Sequence, residues 1–363
     1  MSRCIYGAGR TAQGMADEDK RNKSRRSGKH SSKPRRYGGT SKTALLERHA
    51  EFDAAAKLSA KSRFDVSPRP IGIPKDVEEP RLFSFEWPNK PVALKTESSL
   101  ASKVVRKGEF GWLPDDRVAE IGTMVDNLDM TLDQALSLRS ALLQQKTVYS
   151  HGQLQARGKA LVRLYREGMG IVDLSKRFDF PPMNIFRLVL KEMGWSKSRI
   201  KETLRSPSKF KERERNEFEA AEAADRVSNV DQSETHVRAD LFEEILADWF
   251  EDQGVRIRRQ PEMVKEQMAE HGRPINTPDL LFLDHVEING EPVAWIDAKH
   301  FYGADVDFQR KKITKQANRY VDSWGQGALV FRHGFCENVH IPGTVLLDCG
   351  PLDLSALSRI TEE

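Results

Sequence analysis

Thr277-Pro278-Asp279-Leu280-Leu281-Phe282-Leu283 is an apolar run with a proline near its start; Val293-Ala294-Trp295-Ile296 is a second, turning charged at Asp297-Ala298-Lys299. Continuous apolar runs bounded by turn residues predict short buried strands. Asn289-Gly290 lies between them, and this pair suits a two-residue hairpin because both residues tolerate positive φ. The hairpin brings Asp279 beside Asp297. Lys299 lies two residues beyond Asp297 and so projects from the same face.

Two acids and a lysine at strand ends suit one chemistry well. Paired carboxylates hold Mg²⁺ through oxygen and leave coordination sites for water and phosphate. The metal polarises a phosphoryl group and generates hydroxide near neutral pH, while a nearby lysine positions water or offsets charge on the phosphate. The plainer possibility is a hairpin whose acids are solvated and whose lysine pairs with one of them.

Context favours the first. Pro278-Asp279, a gap, then Asp297-Ala298-Lys299 resembles the motif of the PD-(D/E)xK nuclease superfamily. The fuller wording, Thr277-Pro278-Asp279 with Trp295-Ile296-Asp297-Ala298-Lys299, is similar to the TPD-motif family, the codanin-interacting nucleases. The likeness covers about Thr235 to Phe335, with a fainter echo in the helical region before it. It implies an α/β restriction-endonuclease-like core using Mg²⁺ or Mn²⁺, with Asp279 and Asp297 as ligands. Ala298 would lend its carbonyl, and Lys299 would act on water. It also implies a third acid from the helix before the strands. Glu243, after Phe242, falls there and is preferred to Glu244, although a surface glutamate is the plainer reading. Gln316 and Tyr320 look like the superfamily's Gln-x-x-x-Tyr element. Their i, i+4 spacing puts both on one helix face, with Lys315 and Arg319 as further phosphate contacts; a buried tyrosine beside an exposed glutamine fits equally. Asp297 departs from the glutamate frequent in the TPD-motif family and is one methylene shorter. A codanin-like partner is implied only by the resemblance.

Composition narrows the class. The chain has 363 residues and a net charge of +4. Residues 1–50 carry 13 Lys/Arg against 4 Asp/Glu, so the remainder is mildly acidic. Nucleic-acid contact by the body therefore has to use local patches. Cys4, Cys336 and Cys349 form no CxxC pair and suggest a reducing compartment. No run of about twenty apolar residues exists to span a membrane, and no secretion signal is recognisable, so a nuclear or cytoplasmic location is expected.

Residues 1–109 read as a disordered basic tail. Lys20 to Arg36 is too poor in apolar residues to offset its ordering entropy; it is a solvated tail, a nuclear-localisation or nucleic-acid-tethering segment, or both. Thr43 to Leu58 suits a short helix, which Pro68, Pro70, Pro74 and Pro80 do not extend. Residues 110–205 read as helical. Asp115–Val125 and Thr131–Gln145 have helical spacing, Thr131 and Asp133 capping the second, and Gly152–Glu167 follows. Gly170 to Arg177, a turn at Phe178 to Pro182, and Met183 to Met193 are helix-turn-helix-like. Ile185, Leu188 and Val189 would face inward; Asn184, Arg187 and Lys191 would face a groove or backbone, unless this is an ordinary bundle. Residues 206–234 read as a charged linker or exposed helix. Residues 235–350 form the second domain, with a helix at Val237–Gln253, strands at Val255–Arg259, Thr277 and Val293, a helix at Lys311–Trp324, and strands at Gly327–Phe331 and Thr344–Leu347. Residues 351–363 are a tail.

The histidines have no zinc spacing, and no phosphate-cradling glycine loop occurs. The reading is a metal-dependent nuclease acting on nucleic acid, DNA before RNA. Its rivals are a silent nuclease-like fold that binds nucleic acid or a protein, and a helix-turn-helix regulator with an accessory domain.

Overall fold

The computed structural model describes residues 42–227 and 232–359, and the fold lies in the unit Thr43–Glu363. In chain order the first elements are α1 (Lys42–Ser62), β1 (Leu82–Phe85), α2 (Leu94–Val104), α3 (Asp115–Val125) and α4 (Leu132–Ala156). Five shorter helices follow: α5 (Gly158–Arg166), α6 (Ile171–Phe178), α7 (Pro182–Glu192), α8 (Lys197–Arg205) and α9 (Glu212–Ala223). Then come α10 (Gln232–Asp252), β2 (Ile257–Arg259), α11 (Gln260–His271), β3 (Leu280–Ile288) and β4 (Glu291–Lys299). The last are α12 (Asp307–Trp324), β5 (Gly327–Phe331), β6 (Thr344–Leu347) and α13 (Ser355–Arg359).

The six strands form one mixed sheet. Its backbone is the β3–β4 hairpin, turned by Asn289 (φ 52) and Gly290 (φ 76), a geometry that Asn-Gly accommodates at little cost. β5 and β6 add in parallel beyond β4. Two short strands share the other edge of β3, β1 in parallel at His285–Ile288 and β2 antiparallel at Leu280–Phe282.

Side chains alternate across this sheet as the two-residue period requires. Leu281, Trp295, Leu329 and Phe331 face one layer with α1 and α12. Leu280, Phe282, Ile296, Ala328 and Val330 face the other, against Phe242, Leu246 and Phe250 of α10. A third cluster, Leu161, Tyr165, Leu174, Ile185, Phe186 and Phe218 among others, joins α5, α6, α7 and α9.

Four expectations about domains need correction. The tail read across residues 1–109 holds α1, β1 and α2 from residue 42 onward, and Ala60, Trp87, Leu100 and Val104 are fully or nearly fully buried; the part before residue 42 lies outside the described residues. Helices α3 and α4 belong with the sheet layer, through Ile121, Ala135 and Leu138, so the helical region is not one unit from residue 110. The linker contains α9, whose Phe218 and Ala221 are buried. At the far end, Leu352 and Leu357 of the expected tail are buried beneath α10. In each case a thin scatter of apolar residues finds a distant surface to cover.

Buried Asp284 ties the edge together. Its carboxylate accepts from the backbone N–H of Arg81 and of Arg256 (2.9 Å each) and from the Arg256 guanidinium (2.6 Å). Burial pushes its pKa up, but Arg256 and the backbone N–H donors more than offset this and bring it down to about 2. Gly325 (φ 80) adopts the left-handed region and leaves no room for a side chain against the backbone of Ala60 and Ala56, so α1 sits directly on the start of β5.

Candidate active site

Leu280 pairs with Ile296, which puts Asp279, just before β3, opposite Asp297 in β4. Asp297 and Lys299 share the parity of Trp295 and project toward α12. Asp279, Asp297 and Lys299 are 7%, 3% and 7% exposed. Three charges this deep require partners.

Asp279 is held from two sides. Its Oδ2 accepts from the backbone N–H of Ala298 (2.7 Å), and its Oδ1 from the side-chain amide of Gln260 (2.9 Å). The Gln260 backbone N–H also donates to the Asp279 carbonyl (3.0 Å). Lys299 forms an ion pair with Asp297 Oδ2 and donates to Gln316 Oε1 (3.2 Å). Gln316 in turn donates through Nε2 to Asp297 Oδ1 (3.2 Å) and toward the Tyr320 hydroxyl (3.3 Å). The Tyr320 hydroxyl donates to the Thr277 carbonyl (3.2 Å), closing the ring back to the segment that carries Asp279 into β3.

The electrostatics are unbalanced. Burial, then Asp297 and Glu243, push the Asp279 carboxyl well above the usual range. Burial, with Asp240 and Asp297, pushes Glu243 up to about 7, while Lys299 opposes. Glu243 on α10 is half-buried and Glu244 exposed, and Glu243 is the one felt by both aspartates. Three carboxylates thus share one ammonium.

This imbalance sets a pH dependence. Because Glu243 and Asp279 titrate higher folded than unfolded, the native chain keeps protons that the unfolded chain releases, and stability falls as pH rises. For Glu243 the loss begins above its ordinary 4.5 and is complete beyond about 7. Glu243→Gln should flatten the fall of the thermal midpoint from pH 5 to 8, measured in chelator. The gain at pH 8 should be on the order of 1 kcal/mol after allowance for solvent screening. A midpoint–pH curve parallel to that of the parent would refute the coupling.

Of the other expected residues, Gln316 and Tyr320 join the cluster. Lys315 and Arg319 lie on the exposed side of α12, and Arg319 acts on Tyr320 through its field alone. Ala298 contributes an N–H to Asp279. Arg187 and Lys191 lie apart on α7, lining a different cleft. His300, next to Lys299, contacts Arg332; burial and that guanidinium bring it down to about 4.

Two participants were not placed at the site from the sequence. Gln260 opens α11, a helix unassigned from the sequence, and Pro261 marks only that a helix starts there. The other is α4. Lys299 and Gln316 line a cavity of about 210 Å³, walled by Ser137, Ser140 and Gln144 of α4 and by Lys312. Ser137 Oγ accepts from the Tyr302 N–H (2.8 Å), which docks α4 beside the β4 end.

The fold and site define a mixed α/β protein with a buried acid–lysine–glutamine cluster at the end of its central hairpin. Among the described residues, no three His, Cys, Asp or Glu side chains gather closely enough to hold a metal by themselves, and no helix is long and apolar enough to cross a membrane. Residues 210–349 match the family described as a protein of unknown function with a TPD sequence-motif. An uncharacterized protein of Acanthamoeba polyphaga mimivirus is 31% identical over 115 residues, covering 31% of this chain and 40% of that protein, so the match spans less than half of the relative. No solved structure matches the chain.

Proposed function

We propose that the chain is a metal-dependent nuclease of the PD-(D/E)xK kind, hydrolysing phosphodiester bonds in nucleic acid, DNA before RNA. The observation that carries this reading is the gathering of buried Asp279, Asp297 and Lys299 on one sheet face, with Glu243 adding a third negative charge. A core protein gains nothing from that arrangement: isolated buried charges cost several kcal/mol each. A divalent cation would balance it, and Lys299 would then be free to meet a phosphate.

The donor set suits a hard ion. Asp279, Asp297, the Ala298 carbonyl and Glu243 supply only oxygen. Mg²⁺ is commonly held by one or two carboxylates plus water and phosphate, so a closed three-residue cage is not required. The ion would supply Lewis-acid polarisation of the phosphoryl group and a more acidic water. Gln260 and the Ala298 N–H keep Asp279 aimed. Gln316 holds both Lys299 and Asp297, leaving the ammonium to orient water or a phosphate oxygen. The α4 wall limits solvent on the Lys299 side.

The test is cleavage of linear, plasmid and branched DNA with Mg²⁺ or Mn²⁺, comparing the parent with Lys299→Met. That substitution keeps the aliphatic stem and removes the charge. Cleavage by the parent, reduced at least about 10²-fold in the variant, is the expected result. Parental rates in Lys299→Met would overturn the assignment.

A further inference from the structure

A second concavity, of about 780 Å³, lies between α7 and α8 and is lined also by His151 and Gln155 from α4. This volume falls in the usual range of ligand sites. Five cations line it: Arg187 and Lys191 from α7, and Lys197, Lys201 and Arg205 from α8. The spacing is i, i+4 on α7 and i, i+4, i+8 on α8, so each helix presents a row of like charges on one face. Such spacing destabilises a helix unless an anion lies across it. The ion pairs of this region are Lys146–Asp179, Arg163–Glu167 and Lys209–Glu202, and none of the five takes part in one among the described residues. Glu222 is the single acid lining the cleft.

The floor is apolar, formed by buried Met183, Leu188, Ile200 and Phe218. The helix-turn-helix reading had Asn184, Arg187 and Lys191 of α7 meeting a groove or backbone, and its strongest form would insert α7 into a duplex groove. Burial of seven of its eleven residues argues against that, because a reading helix has to protrude. What α7 offers is a strip, Asn184, Arg187 and Lys191, facing into a hollow.

We propose that this cleft binds an unpaired nucleic-acid strand. Phosphates would lie along the two cationic rows, and an unstacked base would rest on the apolar floor, with the exposed His151 ring available for stacking. A cationic track combined with a surface for base faces is what single strands require, whereas a stiff duplex keeps its bases stacked and cannot reach the floor. The inference rests on the nucleic-acid reading of the hairpin site, extending it to substrates with a single-stranded portion.

The experiment uses the full chain carrying Asp279→Asn, in chelator, so that cleavage plays no part. Fluorescence anisotropy measures binding of a labelled twelve-nucleotide thymidine strand, a duplex of equal length, and an abasic strand, over a range of salt. The thymidine strand should bind at least about tenfold more tightly than the duplex. Each phosphate contact contributes about 0.7 to the single-strand salt slope, so Lys197→Gln with Lys201→Gln, both at exposed positions, should reduce it by about 1.4. The abasic strand should keep the slope and lose affinity. Equal binding of duplex and strand, or an unchanged slope in the double variant, would overturn the proposal. So would displacement of the strand by polyglutamate at equal charge, which would point to an acidic protein partner. A nuclease reading that failed would leave these binding results as they are.

Discussion

Asp279→Asn should abolish divalent-cation binding and cleavage while leaving the chain folded and at least as stable as the parent. The buried carboxylate already titrates well above its usual range, because burial and the charges of Asp297 and Glu243 disfavour its ionised form. Asparagine removes that charge and keeps the side-chain size. Its oxygen can still accept from the Ala298 N–H, and its amide can donate to Gln260 once that side chain turns over. The partners are thus retained and the unfavourable term is lost, so the thermal midpoint in chelator should stay level or rise above pH 7. Function has no such compensation, since a neutral amide is a poor ligand for a hard cation and the remaining donors are few. Calorimetry with Mg²⁺ and Mn²⁺ should show binding in the parent alone, and cleavage should fall by at least about 10²-fold. Parental cation affinity in the variant would mean that the ion, if one acts, sits elsewhere.

This site was legible because its signals are local. Asn289-Gly290 dictates a tight turn and so pairs the two apolar runs, but the register that sets Asp279 against Asp297 also depends on a shift between Leu281 and Val286 that the sequence does not announce. Gln316 and Tyr320 stand out by resemblance to a family element, helical spacing adding only that both lie on one face. The groups that hold the cluster were not legible. Gln260 reaches Asp279 because β2 and α11 lie next to the hairpin, and Ser137 docks beside β4 from some 160 positions away in the chain. Contacts set by topology leave no periodic trace. The same holds for α7: its sequence places Ile185, Leu188 and Val189 inward correctly, but only packing against α5, α6 and α9 reveals how little of the helix remains outside.

The largest error of expectation, the extent of the tail, leads to the second strong prediction: a chain beginning at residue 110 should not fold, whereas one beginning at residue 42 should. The longer truncation removes Ala56, Ala60, Phe64, Ile73, Trp87, Val92, Leu100 and Val104, all buried. Truncating a single buried Leu, Phe or Trp to alanine costs about 2–5 kcal/mol, so losing eight apolar residues exceeds the 5–15 kcal/mol that typically separates folded from unfolded chains. The damage extends beyond the core. Without β1 the His285–Ile288 edge of β3 loses its backbone partners, and Asp284 loses the Arg81 N–H while remaining buried. Arg63, which directly follows α1 and donates to the Asp284 carbonyl, also disappears. Beginning at residue 42 keeps each of these contacts. Circular dichroism and a thermal melt should show cooperative unfolding for the 42–363 chain and none for 110–363. A cooperative melt for the shorter chain within a few degrees of the parent would mean that α1, β1 and α2 merely decorate a sheet that stands without them.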